Sequence, residues 1–309
     1  MPPRHALILT AGLGTRLQPL TAVRAKPAIP VAGVPMIRRI VSWLAAHGVD
    51  DLVLNLHHLP QTLTAILGDG GDLAARIRYS WEPILLGSAG GPRRALPIVG
   101  ADPFFIVNGD TLTDVDLAAL ANAHAASKAR VTLALVPNTQ PDRYGGVSLD
   151  AEGRVTGFPR RGRSAEGSYH FIGVQIADAG VFDALPPNQP VNSIPEVYGA
   201  QLAARTGSVR GYVCDAAFWD VGTIADYWRT SMAFAAAEAK AGLAGCRTRV
   251  DASARVTRSI LWDDVDVDAG CVLDECIVTD SVHVTRGSQY VRQTLLRGTE
   301  GTVRAVPHE

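Results

Sequence analysis

Short apolar runs alternate with amphipathic stretches through the first half of the chain. "HALILTA" reads as a strand, helical spacing runs from about Pro35 to His47, and "DLVLNLH" follows as a second strand. The alternation continues with a helix from Pro60 to Leu67 before "RIRYSWE", one from Ser88 to Leu96 before "FFIVNGD", and one from Asp116 to Ser127 before "VTLALVP". Continuous apolar strands separated by helices of this length are βαβ units. They predict an α/β fold, a Rossmann-like mixed, mostly parallel sheet with helices on both faces. Ligands in such sheets sit at the carboxyl ends of the strands, where "AGLGTR" and "NGDT" both fall.

From Tyr144 to Asp220 the pattern loosens. "GGVSLD", "RVTGF" and "YHFIGVQIA" read as antiparallel strands around glycine turns, an insertion closing over the sheet and carrying a second substrate. An Ala-rich helix is predicted from Ile224 to Leu243, ending near Gly242 and Gly245. This predicts a first domain over 1–243 and a tail over 244–309. In the tail, apolar residues recur every five or six positions: Val250, Val256, Leu261, Val267, Val272, Ile277, Val282 and Val284. That spacing predicts a short left-handed parallel β-helix, with a small antiparallel sheet as the competing arrangement. Open solenoid ends predict a homo-oligomer contact. The run "DDVDVD" has the composition of a calcium loop, but alternating Asp and Val is more simply a solvated strand face.

Composition narrows the partners. A 309-residue chain with a formal net charge of -1 has no global attraction to nucleic acid or an anionic membrane, so any phosphate binding is local. No stretch is long enough to span a bilayer, and the apolar run from Ala6 to Ala11 is too short for a signal-peptide core. Cys214, Cys246, Cys271 and Cys276 form no CxxC pair, which fits reduced thiols and a cytoplasmic location better than a disulfide framework or a zinc site. Lysine occurs only at positions 26, 128 and 240, against 29 Lys and Arg together.

A strand ending in Gly12-Leu13-Gly14-Thr15-Arg16 forms a loop whose amides approach a polyphosphate closely, because glycine has no Cβ to block contact. A dinucleotide fingerprint needs a third glycine where Leu17 stands, and a Walker loop needs a Gly-Lys-Ser/Thr that is absent. The whole string decides between a structural turn and a site. "TAGLGTRLQPLT" and "AKPAIPVAGVP" resemble the signature of the sugar-1-phosphate nucleotidyltransferases, the nucleoside-diphosphate-sugar pyrophosphorylases, with Thr10 and Ala25 as departures. The resemblance continues in order through "LLGSAGGPRRAL", "NGDT", "RYGGV" and "FWDVGT", and the tail is similar to that of the guanylyltransferase and glucose-1-phosphate adenylyltransferase branches.

The resemblance implies in-line attack of a sugar phosphate oxygen on the α-phosphorus of a nucleoside triphosphate. Several anionic oxygens must be held together, so catalysis rests on positioning and charge neutralisation. It assigns Arg16 to the leaving pyrophosphate, Lys26 to the reacting phosphates, and Asp110 with Asp220 to Mg2+. Ala11, Gly12, Gly14, Thr15, Gly87, Ser88 and Ala89 are implied around the nucleotide. Glu82 is placed at the base, where a carboxylate accepting from adjacent N–H groups favours guanine; a glutamate after a strand is otherwise a surface residue. Gly145 and Gly173 are implied at the sugar. The family's FxEKP segment is represented by "GFPRRG", so Arg160 or Arg161 takes the phosphate-binding lysine's place and the glutamate has no counterpart. Asp114 and Asp116 precede a helix and read as turn or cap residues, and His57 with His58 as structural. The resemblance implies an enzyme most similar to mannose-1-phosphate guanylyltransferases, with uridylyl- or thymidylyltransferases acting on another sugar 1-phosphate as the alternative within the same chemistry; the competing class is a nucleotide-sugar sensor that binds without turnover.

Overall fold

The computed structural model describes residues 2–238 and 243–308. Its central sheet contains β1 (His5–Leu9), β2 (Asp51–Leu56), β3 (Arg76–Trp81), β4 (Phe104–Asn108), β5 (Val131–Pro137), β6 (Tyr169–Ala177) and β7 (Val209–Val213), in the order β7-β5-β6-β4-β1-β2-β3. The first four strands are mutually parallel, with Leu7 opposite Val53 and Ile106. β7 runs parallel to β5. β6 is antiparallel to both its neighbours. The sheet is therefore mixed and mostly parallel, as the apolar runs predict. One strand differs in place: "YHFIGVQIA" is no part of an overlying insertion but lies inside the main sheet. The short strands Ser148–Leu149 and Val155–Gly157 form a separate antiparallel ribbon.

The helices are α1 (Met36–Ala46), α2 (Pro60–Leu67), α3 (Gly87–Val99), α4 (Leu117–Ser127), α5 (Tyr198–Ala204) and α6 (Ile224–Ala237). Leu7, Val53, Phe104 and Ile106 pack with Ala89, Ala95 and Val99 of α3 on one face. Their strand neighbours Ala6, Ile8, Leu52, Leu54, Phe105 and Val107 are equally buried, so both faces are covered. Asp116 caps α4 by accepting from Ala119 N at 2.9 Å, the role expected of it, whereas Asp114 accepts from Ala217 N at 2.8 Å, a bond to a distant segment rather than a helix cap. No helix among the described residues is long and apolar enough to cross a membrane.

The chain divides into two compact units, one formed by the residues through Gly12 with Ile40–Trp219, the other by Leu13–Arg39 with the residues from Asp220 onward. The expected boundary at 243/244 falls inside the second unit. The expected extension of α6 to Leu243 runs through 239–242, outside the described residues.

The tail is a β-helix with a coil of 17 residues. Arg249–Val250 pairs in parallel with Asp266–Val267 and that with His283–Val284; Arg255–Thr257, Val272–Asp274 and Gln289–Val291 form a second face; Ile260–Leu261, Ile277–Val278 and Gln293–Arg297 a third. Corners repeat at the same step through the left-handed region, at Arg247, Asp264 and Ser281, and again at Arg258, Glu275 and Arg292. None of these corner residues is β-branched, the type such a backbone tolerates least. Leu273, Val278, Val284 and Leu295 fill the interior together with the thiols of Cys271 and Cys276. Val303–Pro307 turns back antiparallel onto Gln293–Arg297 and covers the edge of the last coil. The "DDVDVD" carboxylates face arginines rather than a cation site: Asp264 pairs with Arg247 and Asp266 with Arg249, each one coil away.

Leu273 is fully buried in this narrow core. Leu273→Ala is expected to cost about 3 kcal/mol, read as a lowered urea midpoint, because a solenoid one side chain thick collapses poorly around a void.

Candidate active site

The sheet unit carries its candidate residues at the carboxyl ends of β1 to β4, where the strand order reverses between β1 and β4. Gly109 donates to Leu9 O at 2.9 Å, which sets Asp110 beside the start of the Thr10–Gly12 loop. Ala11 is buried and Gly12 exposed. A buried polar chain fixes these ends. Thr10 N donates to Asn55 Oδ1 at 2.7 Å, and the Thr10 hydroxyl donates to Asn55 O. Asn55 Nδ2 donates to Glu82 Oε1 at 2.8 Å, and Leu86 N to Glu82 Oε2 at 2.9 Å.

Glu82 is thus no surface residue. It is 4% exposed, and both carboxylate oxygens already accept from the protein. A side chain at Gly91 would collide with it, at 2.6 Å from Oε1. The carboxylate holds the turn that precedes α3. His57 Nδ1 lies 2.9 Å from Glu82 O, in keeping with its structural reading.

Gly87, Ser88 and Ala89 form the first turn of α3. Their backbone is seated against Gln189–Ser193, a segment that shows no periodicity in the sequence. Ala89 N and Gly90 N both donate to Val191 O, at 2.9 and 3.2 Å, and Ser88 Oγ accepts from Ser193 N at 2.8 Å. A Cβ at Gly87 would stand 2.7 Å from Val191 O, so the close approach and the positive φ both require glycine there.

The remaining candidates of this unit build a second wall. Gly146 N donates to Pro159 O at 2.9 Å, and Gly162 N to Pro141 O at 2.8 Å, which ties "RYGGV" to "GFPRRG". The Cβ position of Gly145 lies 3.3 Å from Pro159 O. Arg160 and Arg161 are exposed on this loop. Gly173, at φ 80° in β6, lies against Asn108 at the end of β4.

Behind that wall, His170, Tyr144 and Phe218 form a cluster of mutually touching rings, with centroids 4.1 Å apart for Tyr144–His170, 5.0 Å for His170–Phe218 and 6.1 Å for Tyr144–Phe218, and the Arg143 guanidinium lies over Tyr144. Burial pushes the His170 imidazole down to about 4, against a bond with the Gly145 backbone that favours the charged form. The ring is therefore neutral near pH 7. Sequence reading misses this stack and Asn55; only the single polar residue inside the apolar "DLVLNLH" offered a signal.

The second unit carries the other candidates. Gly14, at φ 60°, opens a 3-10 turn over Thr15–Leu17, and its Cβ position lies 2.7 Å from Thr21 Cγ2 and 3.2 Å from Lys26 Cβ. Lys26 begins a 3-10 turn over Lys26–Ala28 and is 8% exposed, whereas Lys128 is exposed at the end of α4 and Lys240 lies outside the described residues. Arg16 is exposed. Its guanidinium and the Asp220 carboxylate converge on Gly222, whose Cβ position is 3.2 Å from Asp220 Oδ2 and 3.3 Å from Arg16 Nη1. Among the described residues no three or more His, Cys, Asp or Glu gather as a metal cage. Asp110 in the sheet unit and Asp220 in this one each offer carboxylate oxygens, the donor type that suits a magnesium ion.

The profile of the Nucleotidyl transferase family matches residues 5–237, and that of the GlmU-like C-terminal hexapeptide residues 230–291; the chain belongs to the Nucleotidyl transferase family. It is 32% identical over 297 residues to a mannose-1-phosphate guanylyltransferase of Mycobacterium tuberculosis, covering 87% of this chain and 82% of that one. It is 33% identical over 222 residues to an N-acetylmuramate alpha-1-phosphate uridylyltransferase of Neisseria meningitidis serogroup B, covering 71% and 93%. The crystal structure of HddC from Yersinia pseudotuberculosis shares the fold, with a TM-score of 0.65 at 23% identity over 76% of this chain and all of that one.

Two measurements test this geometry. Glu82→Gln sets an amide donor against Asn55 or Leu86 N–H and is expected to cost about 1–3 kcal/mol, seen as a lower melting temperature. For His170, the unfolded chain takes a proton near pH 6.5 and the folded chain only near 4, so stability present above pH 6.5 is lost as pH falls toward 4. His170→Phe keeps the stack and is expected to flatten that acid-side fall in melting temperature.

Proposed function

We propose that this chain transfers a nucleoside monophosphate from GTP to a hexose 1-phosphate of the mannose type, giving a GDP-sugar and pyrophosphate. The observation that carries this reading is the likeness to the mycobacterial guanylyltransferase, which covers 87% of this chain and 82% of that one. A sugar phosphate oxygen attacks the α-phosphorus, the bond from that phosphorus to the bridging oxygen of the β-phosphate breaks, and pyrophosphate leaves. Arg16 holds the departing pyrophosphate. Lys26 neutralises the reacting phosphates as a compact point charge, and its burial favours that role over a solvated one. Asp110 and Asp220 would hold Mg2+, which would supply Lewis-acid charge to the phosphate oxygens.

In this reading the Ala11–Thr15 loop and the Gly87–Ala89 turn bound the nucleotide by backbone contact. Glu82 acts through the turn it anchors. Gly145, Gly173 and the Arg160–Arg161 pair bound the sugar phosphate, with the neutral His170 stack behind them. A homo-oligomer and a cytoplasmic location belong to the same proposal.

A second reading is favoured by the exposed Arg160 and Arg161 where the family pattern has Glu and Lys. Two cations and no glutamate suit an acidic sugar 1-phosphate, and the Neisseria relative is named for such a substrate. Pyrophosphate release from GTP, UTP, dTTP, ATP and CTP, each with mannose, glucose and N-acetylmuramate 1-phosphates, separates the two readings. Release confined to GTP and mannose 1-phosphate is the expected outcome. Silence across the panel, with nucleotide sugars still binding, would sink catalysis in favour of a sensor. Lys26→Ala is expected to lower turnover by about a hundredfold or more with the fold intact. Asp110→Asn is expected to weaken the magnesium dependence, and an unchanged titration moves the metal elsewhere.

A further inference from the structure

Arg24, two residues before Lys26, has no counterpart in the signature and is 9% exposed. Its charge is satisfied entirely by the tail. Nε donates to Asp280 Oδ2 at 2.7 Å, Nη2 to Asp280 Oδ1 at 2.6 Å, and Nη2 again to Asp263 Oδ2 at 2.7 Å. The two carboxylates sit at equivalent places on successive coils, 17 residues apart, and Asp263 N donates to Asp280 Oδ1 at 3.2 Å. Trp262 lies against the guanidinium, 5.3 Å from centroid to Cζ.

The same guanidinium reaches forward. Nη1 makes a long 3.5 Å contact to Ala28 O, the last residue of the 3-10 turn that Lys26 begins. A second tail contact arrives from the other side: Trp262 Nε1 donates to Tyr227 Oη at 2.9 Å, and Tyr227 Oη donates to Pro30 O at 2.8 Å. The Lys26–Ala28 turn is thus bracketed by two side-chain paths, both ending on the coil that carries Trp262 and Asp263.

We infer that Arg24 is a positioning residue through which the β-helix fixes the Lys26 turn, so that the tail is part of the transfer machinery rather than an appendage for assembly. This rests on the catalytic reading of Lys26. A forked guanidinium shared by two carboxylates fixes direction as well as charge, which a lysine at the same place does not do. A bridge serving stability alone would be replaceable by uncharged residues of similar size at little cost to turnover.

The test compares Arg24→Met, Arg24→Lys and the neutral triple variant Arg24→Met/Asp263→Asn/Asp280→Asn in the full chain. Two readouts are taken. The first is kcat and KM for pyrophosphate release. The second is acetylation of Lys26 by an N-hydroxysuccinimide ester, followed by peptide mass spectrometry with exposed Lys128 as internal standard. Arg24→Met is expected to lower kcat by about tenfold or more with nucleotide KM little changed, the signature of a misplaced charge rather than lost binding. Lys26 acetylation is expected to rise relative to Lys128, and Arg24→Lys to recover part of both. The triple variant, which leaves no buried charge unpaired, is expected to regain melting temperature but not kcat.

Full recovery of kcat and of Lys26 protection in the triple variant would reduce the cluster to a structural bridge and overturn the inference. So would wild-type acetylation of Lys26 in every variant. Where Arg24→Met fails to fold, the triple variant and Arg24→Lys carry the comparison. Absence of turnover in the unaltered chain would strike the catalytic reading, and the acetylation ratio would still decide whether Arg24 holds the Lys26 turn.

Discussion

A buried carboxylate between two donors organises the business end of the sheet. Glu82 lies at the end of β3, out of water, where an ionised group is costly unless hydrogen-bonded. It accepts from Asn55 on the neighbouring strand and from Leu86 in the turn that leads into α3. Asn55 in turn accepts from Thr10 N just beyond β1. Three parallel strands and a helix are therefore locked at one end by a single polar chain, and the glycines on either side follow from it. Gly91 has no side chain because Glu82 occupies the space, and Gly87 has none because Val191 does. The loop after β1 and the first turn of α3 keep their amides in place because the interior behind them is already satisfied.

The alternation of strands and helices was legible because parallel strands buried on both faces read as continuous apolar runs, and "HALIL", "DLVLNL" and "FFIVN" are such runs. β6 was read as a strand of the right direction but not in its place. Its partners, Val107 and Leu135, are fixed by pairing across long stretches of chain that local pattern does not record. The Gln189–Ser193 seat was invisible for the same reason. The burial of Glu82 was not legible, because a carboxylate at a strand end carries no local sign of it; Asn55, the polar break in an apolar run, was the clue.

The tail shows both limits of legibility within one motif. Its spacing of apolar residues announced a solenoid, since each coil repeats the same inward position. The 17-residue step then explains what spacing alone did not: unbranched corner residues at positive φ, and Arg–Asp pairs one coil apart that take up the acidic run. Exposed pairs of that kind contribute little stability, so the buried apolar column carries the tail. The Arg24 cluster was not legible at all. It joins residues 239 and 256 positions apart, and nothing near Arg24 in the sequence distinguishes it from a solvated arginine.

Phosphoryl transfer without a covalent nucleophile asks for charges held still, and stillness has a structural source. Of the charged groups proposed to meet the phosphates, Arg16, Lys26 and Asp220 belong to the compact unit that includes the solenoid, whereas Asp110 and the Arg160–Arg161 pair belong to the unit that holds the sheet, as do the walls proposed for base and sugar. A short loop cannot fix a lysine by its own few contacts. Here the loop around Lys26 is braced by Asp263, Asp280, Trp262 and Tyr227, residues that a rigid repeat and a long helix hold in register. Substitutions along that brace should therefore appear in turnover, and those in the Gly145–Arg161 wall in substrate choice. The division makes the scarcity of lysine intelligible: arginines serve the paired and exposed positions, and one compact cation is kept where the supporting structure can aim it.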